Sequence, residues 1–466
     1  MDPKLEVLFN PGTVALIGAT LREGSIGAVI TRTLLEKFKG EVYLVNPSYN
    51  ELLGRRVYKS VLDVPGNVDL AIIVTPAPTV PRIMRECAMK GVRVAIIISG
   101  GFSETGESGA RLEEEVKENA QGRVRILGPN CTGVYNAYNG LDTFFVPRNR
   151  MERPRPGPIA LISQSGAVAG LILDWAARRN IGVGLAVNYG NKLDINEAEL
   201  LEYLAKDSRV KVIVMYMEGL KYPGEGKKLI EVMKAITKTK PIIVYKAGRS
   251  RSSSKAVRSH TAALAGNYEI YRAMLRQAGA IEVNNLFEAF EVAKALVTQP
   301  LPRGNRVLVI TDSGGIGVQS VDNLELMGLL IPELPEELRE NLSRSLPPLV
   351  SVINPIDLTS GATDEMYKLV LNTVLPTNYV DMALIAAYMQ LPGMTPKLAD
   401  YIIDAKRFGK PIVVFSIGDN EDTRIFKAKL EGSGVPTYDR LEVAAKALRA
   451  LYDYAVIRGV AAAEYS

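Results

Sequence analysis

His260 is the only histidine among the 466 residues. It lies in a run of small, hydroxyl and basic side chains, KAGRSRSSSKAVRSHTAALAG from Lys246 to Gly266. An apolar stretch at 241–245 before this run reads as a buried strand, and residues 268–277 after it read as a helix. A polar loop after a parallel strand is where α/β proteins place ligands. The plainer reading of His260 is a solvated side chain. Ser165-Gly166 and Ser313-Gly314-Gly315 each follow an apolar strand and open a helical pattern. The free N–H groups of such a helix start stabilise an anion by about 0.3–1 kcal/mol, rising toward ~2 when partly buried. Two of them directed at one point beside a histidine would form a phosphoryl site; singly, each reads as an ordinary serine cap. Glu218, ending another apolar strand, could accept a ring N–H and orient His260. The alternative is a solvated strand-end acid.

Composition narrows the partners. Hydrophobic residues make up 47% of the chain, enough for sizeable cores, and the length suggests about three domains. No apolar run reaches the ~18 residues of a membrane span. The start, MDPKLEVLFNPG, has neither a basic leader nor an apolar signal core, so a cytoplasmic protein is expected. Cys87 and Cys131 offer no disulfide framework and, with one histidine, no protein-built metal site. A net charge of +5 without aromatic and basic clusters suits anionic small molecules rather than nucleic acid.

These residues need elements to position them. Short Val/Ile/Leu runs at Thr13–Ile17, Val42–Val45, Leu70–Val74, Val94–Ile98 and Val124–Leu127 lack polar alternation, as expected of strands buried on both faces of a parallel sheet. Amphipathic segments at Ile30–Phe38, Val80–Met89 and Ala110–Glu118 alternate with them. That pattern is a doubly wound, Rossmann-type domain. Its first turn, GATLREGSIG (Gly18–Gly27), has glycines fit to cradle a phosphate but not the GxGxxG spacing. The second strand ends in Asn46-Pro47, which supplies no carboxylate for the ribose of NAD. An NAD-dependent oxidoreductase is therefore disfavoured, and a nucleotide that is not a redox dinucleotide fits better.

Proline-rich stretches at Pro147–Pro158 and Thr298–Asn305 read as linkers. They divide the chain into expected domains at 1–147, 158–298 and 305–460. The second and third look like copies: IALISQSGAVAG is echoed by RVLVITDSGGIGV, VIVMYMEGL by ALIAAYMQLPG, and KPIIVYKAG by KPIVVFSIG. This is an internal duplication of a flavodoxin-like α/β unit. The stretch after KPIIVYKAG is about fifteen residues longer than its counterpart and contains His260. A loop of that length without structure of its own is usually functional or disordered, and the other copy folds without it. Glu218 is matched to Gln390, so the carboxylate too belongs to one copy only. The tetrapeptide Asp312–Gly315 imitates a serine-protease nucleophile, but neither serine lies in a G-x-S-x-G elbow.

Taken together, GATLREGSIG, LVNP (Leu44–Pro47), VTPAP (Val74–Pro78), GFSE (Gly101–Glu104), GPNCTG (Gly128–Gly133), SQSG and SHTAALAG (Ser259–Gly266) resemble the NDP-forming acyl-CoA synthetases, relatives of succinyl-CoA synthetase. The resemblance is to the α-subunit arrangement of the archaeal ADP-forming type and covers essentially the whole chain. It implies a CoA-binding Rossmann-type domain followed by two succinyl-CoA-synthetase-type domains. It also implies that acyl-CoA and phosphate give an acyl phosphate, which phosphorylates a histidine matched by His260. The histidine's loop then carries the phosphoryl group to a nucleotide site. Phosphate contacts are implied at Gln164, Ser165 and Gly166, with Ser313, Gly314 and Gly315 as the second helix end, and Glu218 is the histidine's support. CoA contacts are implied at Gly18, Ala19, Thr20, Asn46, Pro47, Thr75, Pro76, Ser99, Asn130 and Cys131, the cysteine lining the site rather than acting as a nucleophile. The family's ATP-grasp module, which binds ADP or ATP with Mg²⁺, is not found in the sequence. A separate β subunit, in an α2β2 assembly, is therefore expected to supply it. The stretched loop would reach about 25–30 Å toward such a chain, with Arg249, Arg251, Lys255 and Arg258 available to hold it. A rival from another class is a CoA-binding regulatory or acyl-transfer scaffold without phosphoryl transfer.

Overall fold

The apolar runs pair as parallel strands wherever both faces can be covered by helices. A computed structural model describes residues 4–255 and 267–463, and these form two compact units, Met1–Leu286 and Phe287–Ser466. In the first sheet the parallel strands lie in the order Arg55–Tyr58, Glu41–Val45, Thr13–Ile17, Leu70–Ile73, Val94–Ile97 and Arg125–Leu127, with Glu51–Leu52 antiparallel at the edge. Counted by sequence this is the Rossmann order 3-2-1-4-5-6. Its central strands Leu70–Ile73 and Val94–Ile97 are buried from end to end.

The second sheet runs Ile281–Glu282, Ile242–Lys246, Val212–Met217, Ile159–Ser163, Val183–Asn188, all parallel. In the second unit a sheet of the same order contains Ile356–Asp357, Val307–Thr311, Met382–Ala386, Ile412–Phe415 and Thr437–Tyr438. Both follow the flavodoxin order 2-1-3-4-5, so the sequence duplication is a duplication of topology.

Three features depart from the sequence expectations. Gly133–Asn136 and Leu141–Asp142, placed with the first domain, are strands of the second sheet: Gly133–Asn136 pairs antiparallel with Val183–Asn188. They are short and carry the fully buried polar residues Asn136 and Asp142, so no apolar run announces them. The stretch Pro147–Pro158 is strapped down rather than a free linker. The side chain of Arg153 is 1% exposed and bonded to Asp142, Met151, Phe144 and Val146, and Tyr135 donates to the Pro154 carbonyl. Finally, the helix Leu286–Thr298, expected to close the second domain, packs Ala295 and Leu296 into the core that holds Val307, Val309 and Leu448. No helix among the described residues is long and apolar enough to cross a membrane.

Candidate functional site

In open α/β sheets the strand order reverses beside the first strand, and the crevice there lies beyond the carboxyl ends of the strands. The first sheet has a crevice of about 660 Å³ at that place, formed by the ends of Thr13–Ile17, Glu41–Val45 and Leu70–Ile73. Gly18, Thr20, Asn46, Pro47, Thr75, Pro76 and Ser99 line it, as the sequence leads one to expect. The turn into the helix Ile26–Lys37 depends on its glycines. Gly18 has φ +98°, and a Cβ on Gly27 would stand 2.8 Å from the Gly18 carbonyl oxygen. The helix start thus sits against the strand end, with Ser25 capping it by accepting from the Ala28 N–H. If this crevice takes the CoA that the sequence resemblance implies, Gly27→Ala should push that start back and weaken CoA binding roughly ten-fold, about 1.4 kcal/mol. Titration calorimetry with CoA measures it, and an unchanged affinity would remove this turn from the binding site.

Asn46 donates to the Ala19 carbonyl at 2.8 Å and accepts from the Ser48 N–H, so it shapes the wall it belongs to. Ala19, Asn130 and Cys131 are not on that wall. Ala19 is fully buried, and Asn130 sits at φ +56° with its N–H on the Ser99 carbonyl. The Cys131 thiol points to the Ile97 carbonyl, and burial pushes it up to about 12, which leaves it no nucleophilic role. The basic lining, Arg22, Lys59 and Arg82, was not among the residues the sequence singled out. Lys59 donates to the carbonyls of Pro47 and Tyr49. Their signal was faint: Arg22 hides inside the glycine-rich turn, and Lys59 and Arg82 are isolated basic residues on a loop and a helix.

The second sheet has its own reversal point between Ile159–Ser163 and Val212–Met217, and Gln164, Ser165 and Glu218 meet there. Ser165 caps the helix Gly166–Arg178, accepting from the Val168 N–H. A Cβ on Gly166 would be 2.7 Å from Thr132, so the helix start is closely backed. Gln164 braces the gap between the diverging strands, its side-chain oxygen accepting from the N–H groups of Glu218 at 2.8 Å and Gly219 at 3.1 Å. Glu218 is 5% exposed and accepts from the Tyr216 hydroxyl at 3.2 Å. Asn188 and Tyr216 went unnoticed in the sequence. Asn188, fully buried, donates to the carbonyls of Ser163 and Gln164 and accepts from the Thr132 N–H. A polar residue closing an apolar strand was the available signal. His260 and the rest of 256–266, Arg258 included, lie outside the described residues. Arg249 binds inward, donating to the Lys246 carbonyl and stacking on Tyr245 and Tyr268, rather than serving as an outward contact.

The reversal point of the second unit shows what the duplication changed. Ser313 opens the helix Gly314–Leu326 without a side-chain capping bond, and Asp312 accepts from the Tyr388 N–H at 2.8 Å. Asp312 therefore occupies the place of Gln164. Register confirms it: Ser163 pairs with Tyr216 and Thr311 with Ala386, so Glu218 corresponds to Tyr388. The match to Gln390 is corrected by two residues; it followed a shared Tyr-Met pair that the strand register sets apart. Glu218 is still a carboxylate without an acidic counterpart. Burial raises the Asp312 pKa, and the crevice beside it, about 310 Å³, is walled by Ile316, Ala387, Tyr388, Phe415 and Ile417.

Comparison with known proteins gives the following. Residues 12–137 match the family described as "CoA binding domain", 156–296 the "Succinyl-CoA ligase like flavodoxin domain", and 307–460 the "Ligase-CoA domain". The chain is 41% identical to the ADP-forming acetate–CoA ligase I subunit alpha of Pyrococcus furiosus, covering 97% of each. It is 38% identical to the ADP-forming acetate–CoA ligase I of Archaeoglobus fulgidus, where 97% of this chain spans 64% of that one. Among solved structures it resembles a "dinucleotide forming Acetyl-coenzyme A synthetase 1" of Ca. Korarchaeum cryptofilum, solved with phosphate and ADP. The TM-score is 0.89 at 36% identity, over 98% of both chains.

Proposed function

The chain belongs to the NDP-forming acyl-CoA synthetase family, and from that membership we propose how its sites divide the reaction. It is the α subunit of an ADP-forming acetyl- or acyl-CoA synthetase, converting acyl-CoA, ADP and phosphate reversibly to carboxylic acid, ATP and CoA. The likeness to α subunits along their whole length carries this reading. CoA binds in the Rossmann-type crevice, its phosphates facing the Gly18–Gly27 turn and the basic residues Arg22, Lys59 and Arg82. Phosphate attacks the thioester carbonyl, the sulfur leaves as CoA, and an acyl phosphate results. His260 then takes the phosphoryl group at a ring nitrogen, the P–O bond to the acyl group breaks, and the carboxylate departs.

Ser165 and Gly166 present helix N–H groups to the phosphoryl oxygens. Gln164 holds the strand ends apart, and Glu218 accepts the other ring N–H of His260, favouring the tautomer whose free nitrogen attacks. ADP with Mg²⁺ binds on an ATP-grasp β subunit, in an α2β2 assembly. In support, relatives that match this chain end to end are named as α subunits, and single-chain relatives are half as long again. A CoA-binding scaffold without phosphoryl transfer leaves the histidine loop and Glu218 unexplained. Incubation with acetyl-CoA and labelled phosphate should leave label on the chain that is lost in acid and kept in base. CoA binding without any such label would favour the scaffold.

A further inference from the structure

Along the strand Ile242–Lys246, Ile242 and Val244 face the core, and two residues on the same face receives Lys246. An apolar residue is expected there. Instead an ammonium is buried, with the residue only 1% exposed. Its Nζ donates to the main-chain carbonyl of Glu218 at 2.7 Å and to that of Ala247, and it stands 4.4 Å from the ring centre of Tyr271. Both hydrogen-bond acceptors of the ammonium are main-chain carbonyls. Burial pushes its pKa down to about 8, the negative charge of Glu218 working against that shift.

Burying a cation is costly, and the fold does not require it. In the second unit the register that sets Tyr216 opposite Tyr245 sets Ala386 opposite Phe415, so Lys246 corresponds to Ser416. That serine is equally buried. Both copies build the same strand end, and the cation occurs only where Glu218 does.

We propose that Lys246 is a positioning residue for phosphoryl transfer. Its ammonium ties the end of the strand that carries Glu218 to Ala247, where the segment bearing His260 departs. One donor bonded to both carbonyls fixes the distance between the two chain segments whose side chains must meet. It also places a positive charge at the strand end that carries Glu218. Lys246 acts through Glu218 and touches no substrate.

The inference rests on the phosphohistidine reading, and one experiment separates the two. The chain is assayed with its β subunit, and phosphoryl incorporation from acetyl-CoA and labelled phosphate is followed in wild type, Lys246→Ser, Lys246→Met, Lys246→Arg and His260→Ala. Lys246→Ser copies the second unit, and Lys246→Met keeps the stem volume should the serine variant fail to fold. The expected result is a rate about 10–100-fold lower in both. The KM for phosphate and the affinity for CoA should stay near wild type, and Lys246→Arg should recover most of the rate. A purely structural lysine would lower the melting temperature and leave the rate per folded molecule unchanged; that result overturns the proposal. If Lys246→Arg is as slow as Lys246→Met, the charge plays no part and the proposal fails too. Should His260→Ala label like wild type, the phosphohistidine reading itself is wrong.

Discussion

His260→Ala is expected to abolish acid-labile phosphoryl incorporation and, with it, ATP formation in the assembled enzyme. Binding of CoA should remain as in the wild type. The chain has no second imidazole that could substitute. The alternative acceptors nearby in sequence are hydroxyls, and a phosphoserine survives acid but not base, the opposite of an N–P bond. The chemistry of the label therefore identifies the acceptor even if some remains. Loss of CoA affinity in parallel with the label would mean that the substitution acts on the fold. A full acid-labile signal in the variant would place the acceptor elsewhere.

Asp142→Ala should destabilise the protein by about 3–5 kcal/mol, the cost of stripping one partner from a buried ion pair. Asp142 is fully buried and accepts from Arg153 at 3.0 Å, from Arg148 at 2.9 Å and from the Phe144 N–H at 3.1 Å. Arg153 cannot follow a lost partner into water, because its side chain is 1% exposed and three carbonyls hold it. Burial already lowers its pKa, with Asp142 opposing the shift. Against a total stability of roughly 5–15 kcal/mol, such a loss is large. Denaturant midpoints compare the two proteins. A change below about 1 kcal/mol would mean that the strap at 144–154 is held by its apolar contacts instead.

Much of the architecture could be read along the chain. Strands buried on both faces appear as unbroken Val/Ile/Leu runs, and their observed ends differ from the expected ones by a residue at most in the first sheet, as with Leu70–Ile73 and Arg125–Leu127. Helix starts were harder to read. The helix expected from Ile30 begins at Ile26, because its cap is Ser25 inside a glycine-rich turn that looks like loop. Candidate site residues were legible where a motif carried them, as at Asn46, Thr75 and Ser165. The basic residues of the crevice were not, since Arg22, Lys59 and Arg82 are far apart in sequence and adjacent only once the strands align.

The sequence by itself determined that the chain repeats a parallel α/β unit and that one copy carries a longer stretch with the single histidine. It also determined that Asn46-Pro47 stands where an NAD carboxylate would be. These are properties of composition and local period, which survive without a fold. Tertiary structure alone decided that Gly133–Asp142 joins the second sheet, that Glu218 answers to Tyr388, and that Lys246 is buried under it. Each depends on which strand lies beside which, and in what register. That choice is made by burial summed over distant segments, so a two-residue slip invisible in an alignment becomes a different hydrogen-bond partner in the folded sheet.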